Sequence, residues 1–192
     1  MDSRFFEFPG PFRHPPPVTF GEQLTIWTIR LAVALYGFSV AAQLLAAGRD
    51  SWRRTARAFW TAGCVIYVIH VLVAFHYYHH WSHAAVFEHT ARRTEEVVGA
   101  AVGYGVYVSY LFTILWIVDA IEWWRVGVAR YSHRPRWLLA ALHAFFAFIV
   151  FNGTVIFETG PIRWFGIGMF AVFAVLMAWR MSNARIRVDT SP

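Results

Sequence analysis

The chain alternates long apolar stretches with short polar connections. The stretches run from Gln23 to Ala47, Ala56 to His80, Val97 to Trp124, Trp137 to Phe157 and Ile162 to Met181. Each is near the ~20 residues that an α-helix needs to cross ~30 Å of hydrocarbon. Tyr and Trp gather near many of the ends, as in the aromatic belts of membrane proteins. The pattern predicts an all-α integral membrane protein, a bundle of about five transmembrane helices. It divides the chain into a Pro-rich extracytoplasmic segment over 1–21, a five-helix domain over 22–181 and a cytoplasmic tail over 182–192. A tight turn, ETGP at Glu158 to Pro161, joins the fourth and fifth stretches. The first twenty residues lack an uninterrupted apolar run, so no cleavable signal peptide is expected, and the first stretch is expected to stay as an anchor.

Composition agrees with this reading. Only 15% of the 192 residues are charged and 58% are hydrophobic, too little charge to cover a water-facing globule, where roughly a quarter is usual. All 17 basic residues are arginines, a bias of genomic base composition, and the net charge of +6 implies no nucleic-acid partner. What matters in a membrane protein is where the arginines lie. Arg49, Arg53, Arg54 and Arg57 follow the first stretch, Arg125, Arg130, Arg134 and Arg136 follow the third, and Arg180, Arg185 and Arg187 follow the last. The other side receives Arg4, Arg13, Arg92, Arg93 and Arg163. This imbalance, with an odd number of helices, predicts a cytoplasmic C terminus and an outside N terminus, in a bacterial inner (plasma) membrane. The lone Cys64 excludes an intramolecular disulfide.

The sharpest chemical feature is the run FHYYHHWSHAAVFEHT, which holds His76, His79, His80, His83 and His89. At ~100° per residue, with His76 at zero, His79 falls at ~−60°, His80 at ~+40° and His83 at ~−20°. If the second helix continues through the run, all four share one face. Neutral imidazole is the commonest side-chain metal ligand, and this spacing lets two or three rings converge on one ion. The expected site is a metal bound by His76, His80 and His83 with His79 in support, and His89 joins only if the chain bends. A carboxylate ligand is sought on neighbouring helices, with Glu158 favoured over Glu95 and Glu96. Tyr104, Tyr107 and Asn152 lie at the same depth, and Phe75, Tyr77, Tyr78 and Trp81 are candidates to line an entrance. The segment from Glu88 to Gly99 reads as a polar interfacial helix or loop, with Glu88 and His89 able to fold over the metal. Histidines at a bilayer boundary also serve as merely interfacial polar groups.

Residues His76 to His80 read HYYHH, which resembles the HxxHH box of membrane fatty-acid desaturases and hydroxylases. The resemblance covers five residues and implies the ligand geometry of a di-iron centre. The second half of the chain, with His133 and His143, has no further box, so the likeness is one of ligand geometry and not of family.

Other polar residues lie within the apolar stretches. Arg30 is expensive in lipid and is expected to face a carboxylate, such as Glu22, or a water-filled cavity. His70 and His143 are candidates for bis-imidazole haem ligation. They differ in depth by ~10 Å at 1.5 Å per residue, which favours an interhelical hydrogen bond for each. Asp119 and Glu122 are expected to pair with Arg125 or with arginines of the first loop. A proton route from Asp119 through His70 to the histidine cluster is the sharper alternative. Gly99, Gly103 and Gly105 read as a close-packing face.

Three classes of function follow. The first is a membrane-embedded metalloprotein, iron or copper before zinc, with redox or oxygen chemistry on a lipid-soluble substrate. The second is a non-catalytic accessory subunit or metal-delivery protein of a larger membrane complex. The third is haem b electron transfer linked to quinone. Transport is disfavoured, since no apolar stretch is clearly broken and no inverted repeat is visible. Beyond the lipid bilayer, the expected partners are other membrane subunits.

Overall fold

The computed structural model describes residues 19–46 and 49–189, with side chains as far as Asn183. Residues 1–18 of the Pro-rich segment, 47–48 and 190–192 lie outside the described residues, as do Arg4 and Arg13 and the side chains of Arg185 and Arg187. Six α-helices follow one another: α1 (Phe20–Leu45), α2 (Asp50–Tyr77), α3 (His83–Val98), α4 (Gly105–Tyr131), α5 (Arg136–Phe151) and α6 (Gly160–Asp189). A π-helical turn, Asn152–Ile156, extends α5. No strand occurs among the described residues. Every helix but α3 is long and apolar enough to cross a membrane, α5 together with its π turn. The chain is a multi-pass membrane protein with five such helices, as the hydrophobic pattern predicts.

The elements begin where local chemistry allows. Thr19 caps α1 in a reciprocal box: its hydroxyl accepts from the Glu22 amide while the Glu22 carboxylate accepts from the Thr19 amide, satisfying two orphan donors at once. The boundaries of the second and third predicted spans need correction. Helix α2 stops at Tyr77, short of His80, because His80 and Trp81 take left-handed backbone angles (φ 45° and 61°). The third membrane helix begins at Gly105, not Val97, because Gly99 ends α3 in a left-handed conformation (φ 77°). Of the three glycines expected to pack closely, Gly103 does so, since a β-carbon there would collide with the Phe87 ring of α3, and Gly105 lies near Thr90, but Gly99 faces open space and serves to end α3 instead. At the far end, α6 continues through 182–189, which were expected to form a tail.

The bundle has two chemically distinct ends. One, the histidine end, gathers the start of α1, the end of α2, all of α3 and the start of α4. The other, the arginine end, holds the end of α1, the start of α2, the end of α4 and the start of α5. Helices α1 and α2 pack along each other, α4 lies against α2, and α6 against α1. Between them sits an aromatic core of Tyr36, Trp60, Phe112, Trp116 and Phe146, each at most 2% exposed. Ring centres approach to 4.5 Å for Phe112 with Phe146 and 5.1 Å for Trp60 with Phe146. Trp116 Nε1 donates to the Trp60 carbonyl at 3.2 Å, and Ser39 donates to the Ala56 carbonyl at 2.8 Å. Ile114, Val118 and Ile121, by contrast, are more than half exposed. In lipid, outward apolar surface carries no penalty, and helices associate through packing and hydrogen bonds.

The arginine end is fastened by an ion pair that sequence reasoning assigned to other partners. Asp119 is buried and pairs with Arg134 at 2.8 Å, not with Arg125 or the first loop, and Arg134 also reaches Glu122 at 3.6 Å. Tyr131 donates to the Asp119 carboxylate at 2.9 Å and stacks flat on Trp123 with centroids 4.1 Å apart. A kink makes this possible: Gly127 has φ 78° inside α4, an angle glycine adopts without penalty, and the redirected last turn carries Tyr131 and Arg134 back toward Asp119. Removing one partner of a buried pair strands the other, at a cost of about 3–5 kcal/mol. Arg134→Ala is therefore expected to lower the melting temperature sharply in detergent, and adding Asp119→Asn in the same chain should recover much of the loss. A melting temperature for Arg134→Ala equal to wild type would contradict this account.

Candidate functional site

The histidine end is shaped by the reversal at His80 and Trp81. Left-handed angles in non-glycine residues cost roughly 1–3 kcal/mol each and persist only where the surroundings enforce them. Here the Trp81 amide donates to the Phe75 carbonyl at 3.0 Å and the Ser82 amide to the His79 carbonyl at 2.8 Å. The Ser82 side chain then caps α3 by accepting from the Ala85 amide. Phe75 is the local anchor, with His79, Trp81 and Tyr110 packed around its ring at 5.9, 6.1 and 6.4 Å.

This break overturns the single helical face expected for His76, His79, His80 and His83, and it distributes the histidines differently. His79 meets His89, one turn and a half into α3, with ring centroids 5.4 Å apart. The chain bends, which was the condition for His89 to join. His83 turns to α4, where Nδ1 lies 3.0 Å from the Tyr110 hydroxyl and Nε2 3.4 Å from that of Tyr107. His76 packs edge-on against Tyr77 and near Trp81, at 4.7 and 6.5 Å, and His80 is exposed. Among the described residues no group of three His, Cys, Asp or Glu side chains is placed to hold a metal ion. Tyr110 was missed by sequence reasoning, although its i, i+3 spacing from Tyr107 puts both on one helical face.

The segment Glu88 to Gly99 is helical, as one of its two expected forms, and amphipathic. Val86 is buried and Phe87 packs on Tyr104. Its charges largely pair among themselves: Glu88 with Arg92 at 3.0 Å and Glu96 with Arg93 at 3.1 Å. Glu88 is thereby drawn away from the histidines. Arg93 also donates to the Phe157 carbonyl, tying α3 to the end of the π turn.

Beside this surface lies a cavity of about 1050 Å³ with mainly apolar walls. Arg30, His89, Arg93, Asn152 and Glu158 supply polar lining. Glu158 thus shares a cavity with His89, and it forms no ion pair with Arg163 among the described contacts. Arg30 lines the cavity, with its guanidinium over the Trp27 ring at 5.2 Å, and forms no ion pair with Glu22 or another carboxylate among the described contacts. Asn152 opens the π-helical turn, a distortion that recurs at functional sites.

The haem candidates are held apart in character. His70 Nδ1 donates to the Thr25 carbonyl of α1 at 3.1 Å, with Thr28 Oγ1 at 3.3 Å, the interhelical bond expected of it. His143, of which the same bond was expected, makes none: it packs edge-on to Trp60 at 5.7 Å, and its Nδ1 is buried without a partner. No hydrogen bond joins Asp119 to His70, since the Asp119 oxygens are taken by Tyr131 and Arg134.

Neither a protein-family model nor a curated protein nor a solved structure matches this chain.

The pair has its own electrostatics. Partial burial is the largest influence on His79, followed by repulsion from His89 and then His80, and all three push its pKa below the ordinary 6.5. Lowered in the folded protein, the His79 pKa favours the neutral ring, with its lone pair, more than that of an ordinary imidazole does. Its protonation then destabilises the contact with α3 only as pH falls below 6.5. An NMR titration should place the His79 midpoint below 6.5, and His89→Ala should move it upward toward that value without fully reaching it. A midpoint at or above 6.5 in the wild-type chain would refute the assignment.

Proposed function

We propose that the chain is a membrane-embedded metalloprotein whose ion binds on His79 and His89 at the histidine end, with iron or copper preferred over zinc, and acts in redox or oxygen chemistry on a lipid-soluble substrate. The observation that carries this reading is the return of α3 onto the end of α2, which sets the two imidazoles 5.4 Å apart. Two rings sharing one ion through nitrogen bonds of ~2.0–2.1 Å have centres about 5 Å apart. His76 and His80 are the nearest further imidazoles in sequence, and Glu158 is a carboxylate on the wall of the cavity that His89 also lines. That cavity is the natural place for an apolar substrate, and its breadth suits a drug-sized or larger molecule. The arginine distribution supports an outside location for this surface, with the N terminus outside and the C terminus in the cytoplasm of a bacterial inner membrane.

A second reading is favoured by one observation. Two imidazoles leave an ion short of the usual four ligands, and no third His, Cys, Asp or Glu joins them among the described residues. In an accessory or metal-delivery subunit, a partner protein would complete the coordination.

Both readings require bound metal. Elemental analysis of the full chain purified in mild detergent should find near-stoichiometric metal, and the double substitution His79→Ala, His89→Ala should remove it. His83→Ala should retain most of it, because His83 is engaged by Tyr107 and Tyr110. Negligible metal in the wild-type chain, or equal metal in wild type and the double variant, would sink the proposal. Stoichiometric partner proteins that co-purify and are needed for retention would select the accessory reading over the enzymatic one.

A further inference from the structure

The arginine end holds a second cavity of about 950 Å³, between α1, α4, α5 and α6. It is half open, and its walls are mainly apolar, with Val40, Leu139, Ala144, Phe170 and Phe173 among them. Two cationic side chains, Arg53 and Arg180, also line it, and no Asp or Glu does so among the described residues. Both arginines lie at one level of the bundle. Ser39 of α1 donates to the Ala56 carbonyl of α2, and about one turn closer to the connection between these helices lie Gln43 on α1 and Arg53 on α2. Arg180 of α6 donates from Nη1 to the Gln43 carbonyl at 3.2 Å. With 26 and 28 residues, α1 and α2 exceed the ~20 that cross the hydrocarbon. Their outermost turns, which carry Gln43 and Arg53, therefore stand at headgroup depth.

Both arginines keep donors for a ligand. A guanidinium carries several N–H groups, and the only partner of Arg180 among the described contacts is that backbone carbonyl. Arg53 reaches Asp50 at 3.4 Å in an i, i+3 pair whose carboxylate is exposed, a kind of contact that contributes little. Other arginines of this end are engaged, Arg134 by Asp119 and Glu122 and Arg57 by the Trp124 ring at 3.8 Å. From Arg180 inward, the α6 wall continues to Phe170, about 15 Å at 1.5 Å per residue. That is about half of the ~30 Å hydrocarbon, the depth of one leaflet. A free anion would leave this apolar length bare, and an acidic peptide would set unpaired backbone groups against it. A phospholipid with a negative headgroup matches both parts. Its phosphate suits the guanidinium fork, and its acyl chain has the length of the wall. Basic pockets between membrane helices bind such headgroups.

We propose that this cavity binds one anionic phospholipid, its phosphate held by Arg53 and Arg180 and an acyl chain laid along α5 and α6. The proposal does not depend on metal at the opposite end. Its test is native mass spectrometry of the full chain in mild detergent, titrated with phosphatidylglycerol or with phosphatidylcholine of the same acyl chains. Loss of one charged hydrogen bond corresponds to roughly a tenfold change. One phosphatidylglycerol should therefore be held about tenfold or more tightly than phosphatidylcholine, and Arg53→Gln and Arg180→Gln should each weaken it about tenfold. Ala174→Trp or Ala144→Phe, which put bulk into the cavity and keep both charges, should also weaken it. Arg92→Gln at the histidine end should not change it, and glycerol phosphate, the water-soluble head alone, should not displace it. Thermal melting establishes that each variant is folded. Equal retention of the two lipids, phosphatidylglycerol binding unchanged in folded Arg53→Gln and Arg180→Gln chains or in both folded bulky variants, or displacement by glycerol phosphate would overturn the proposal.

Discussion

In hydrocarbon no water is available to satisfy a peptide group, so each membrane-crossing segment must close its hydrogen bonds within itself. This constraint organises the molecule. Helices α1, α2 and α6 hold regular geometry across the bundle, and the irregular backbone collects near the ends. The left-handed pair His80 and Trp81 lies just past α2, and the Gly127 kink lies in the last turns of α4. The π-helical turn closes α5. Each departure is compensated. Trp81 donates to Phe75, Asn152 Nδ2 donates to the Phe148 carbonyl, and Thr154 Oγ1 donates to the Val150 carbonyl. The places where the chain leaves helical geometry are also the places where polar side chains meet.

Between the ends, cohesion comes from shape. Without a hydrophobic difference between lipid and protein interior, helix association depends on close packing and interhelical hydrogen bonds. The bundle meets this with large flat rings in its middle and small residues where helices touch. Ala32 and Ala42 on α1 and Ala56 on α2 are buried, and a side chain at Gly63 would crowd the Trp116 ring. The indole of Trp116 adds a directional bond to the α2 backbone. An aromatic centre of this kind sets the separation of the helices whose ends carry the histidines and the arginines.

Much of this was legible in the amino-acid pattern. Length and hydropathy identify five membrane helices because that signal integrates over about twenty residues and tolerates error at each end. His70 bonding to a neighbouring helix follows from the cost of polar groups in lipid. The failures share one cause, a change of chain direction that periodicity does not encode. Four histidines share a face only on a continuous helix, and in HHWS the one local mark of the break is Ser82, the N-cap of α3, since histidine and tryptophan are not turn formers in the manner of glycine or proline. Arg134 was overlooked for Asp119 for the same reason: fifteen residues apart, they meet only because the chain redirects at Gly127. That glycine, within a helical pattern and close to its end, was the available signal.

The reversal at His80 and Trp81 also separates two roles within one histidine run. His83 sits between two tyrosine hydroxyls, so it serves the attachment of α3 to α4 and is poorly free to act as a ligand. His79 and His89 make no hydrogen bond to any other side chain among the described contacts, yet the half-buried ring of His79 stands against the exposed ring of His89. The two rings meet edge-on, and the pair carries an electrostatic cost only when both are protonated. That cost is avoided where a single metal ion takes the place of the protons. The two left-handed residues turn the chain just past α2, and with α3 returning, His89 reaches His79.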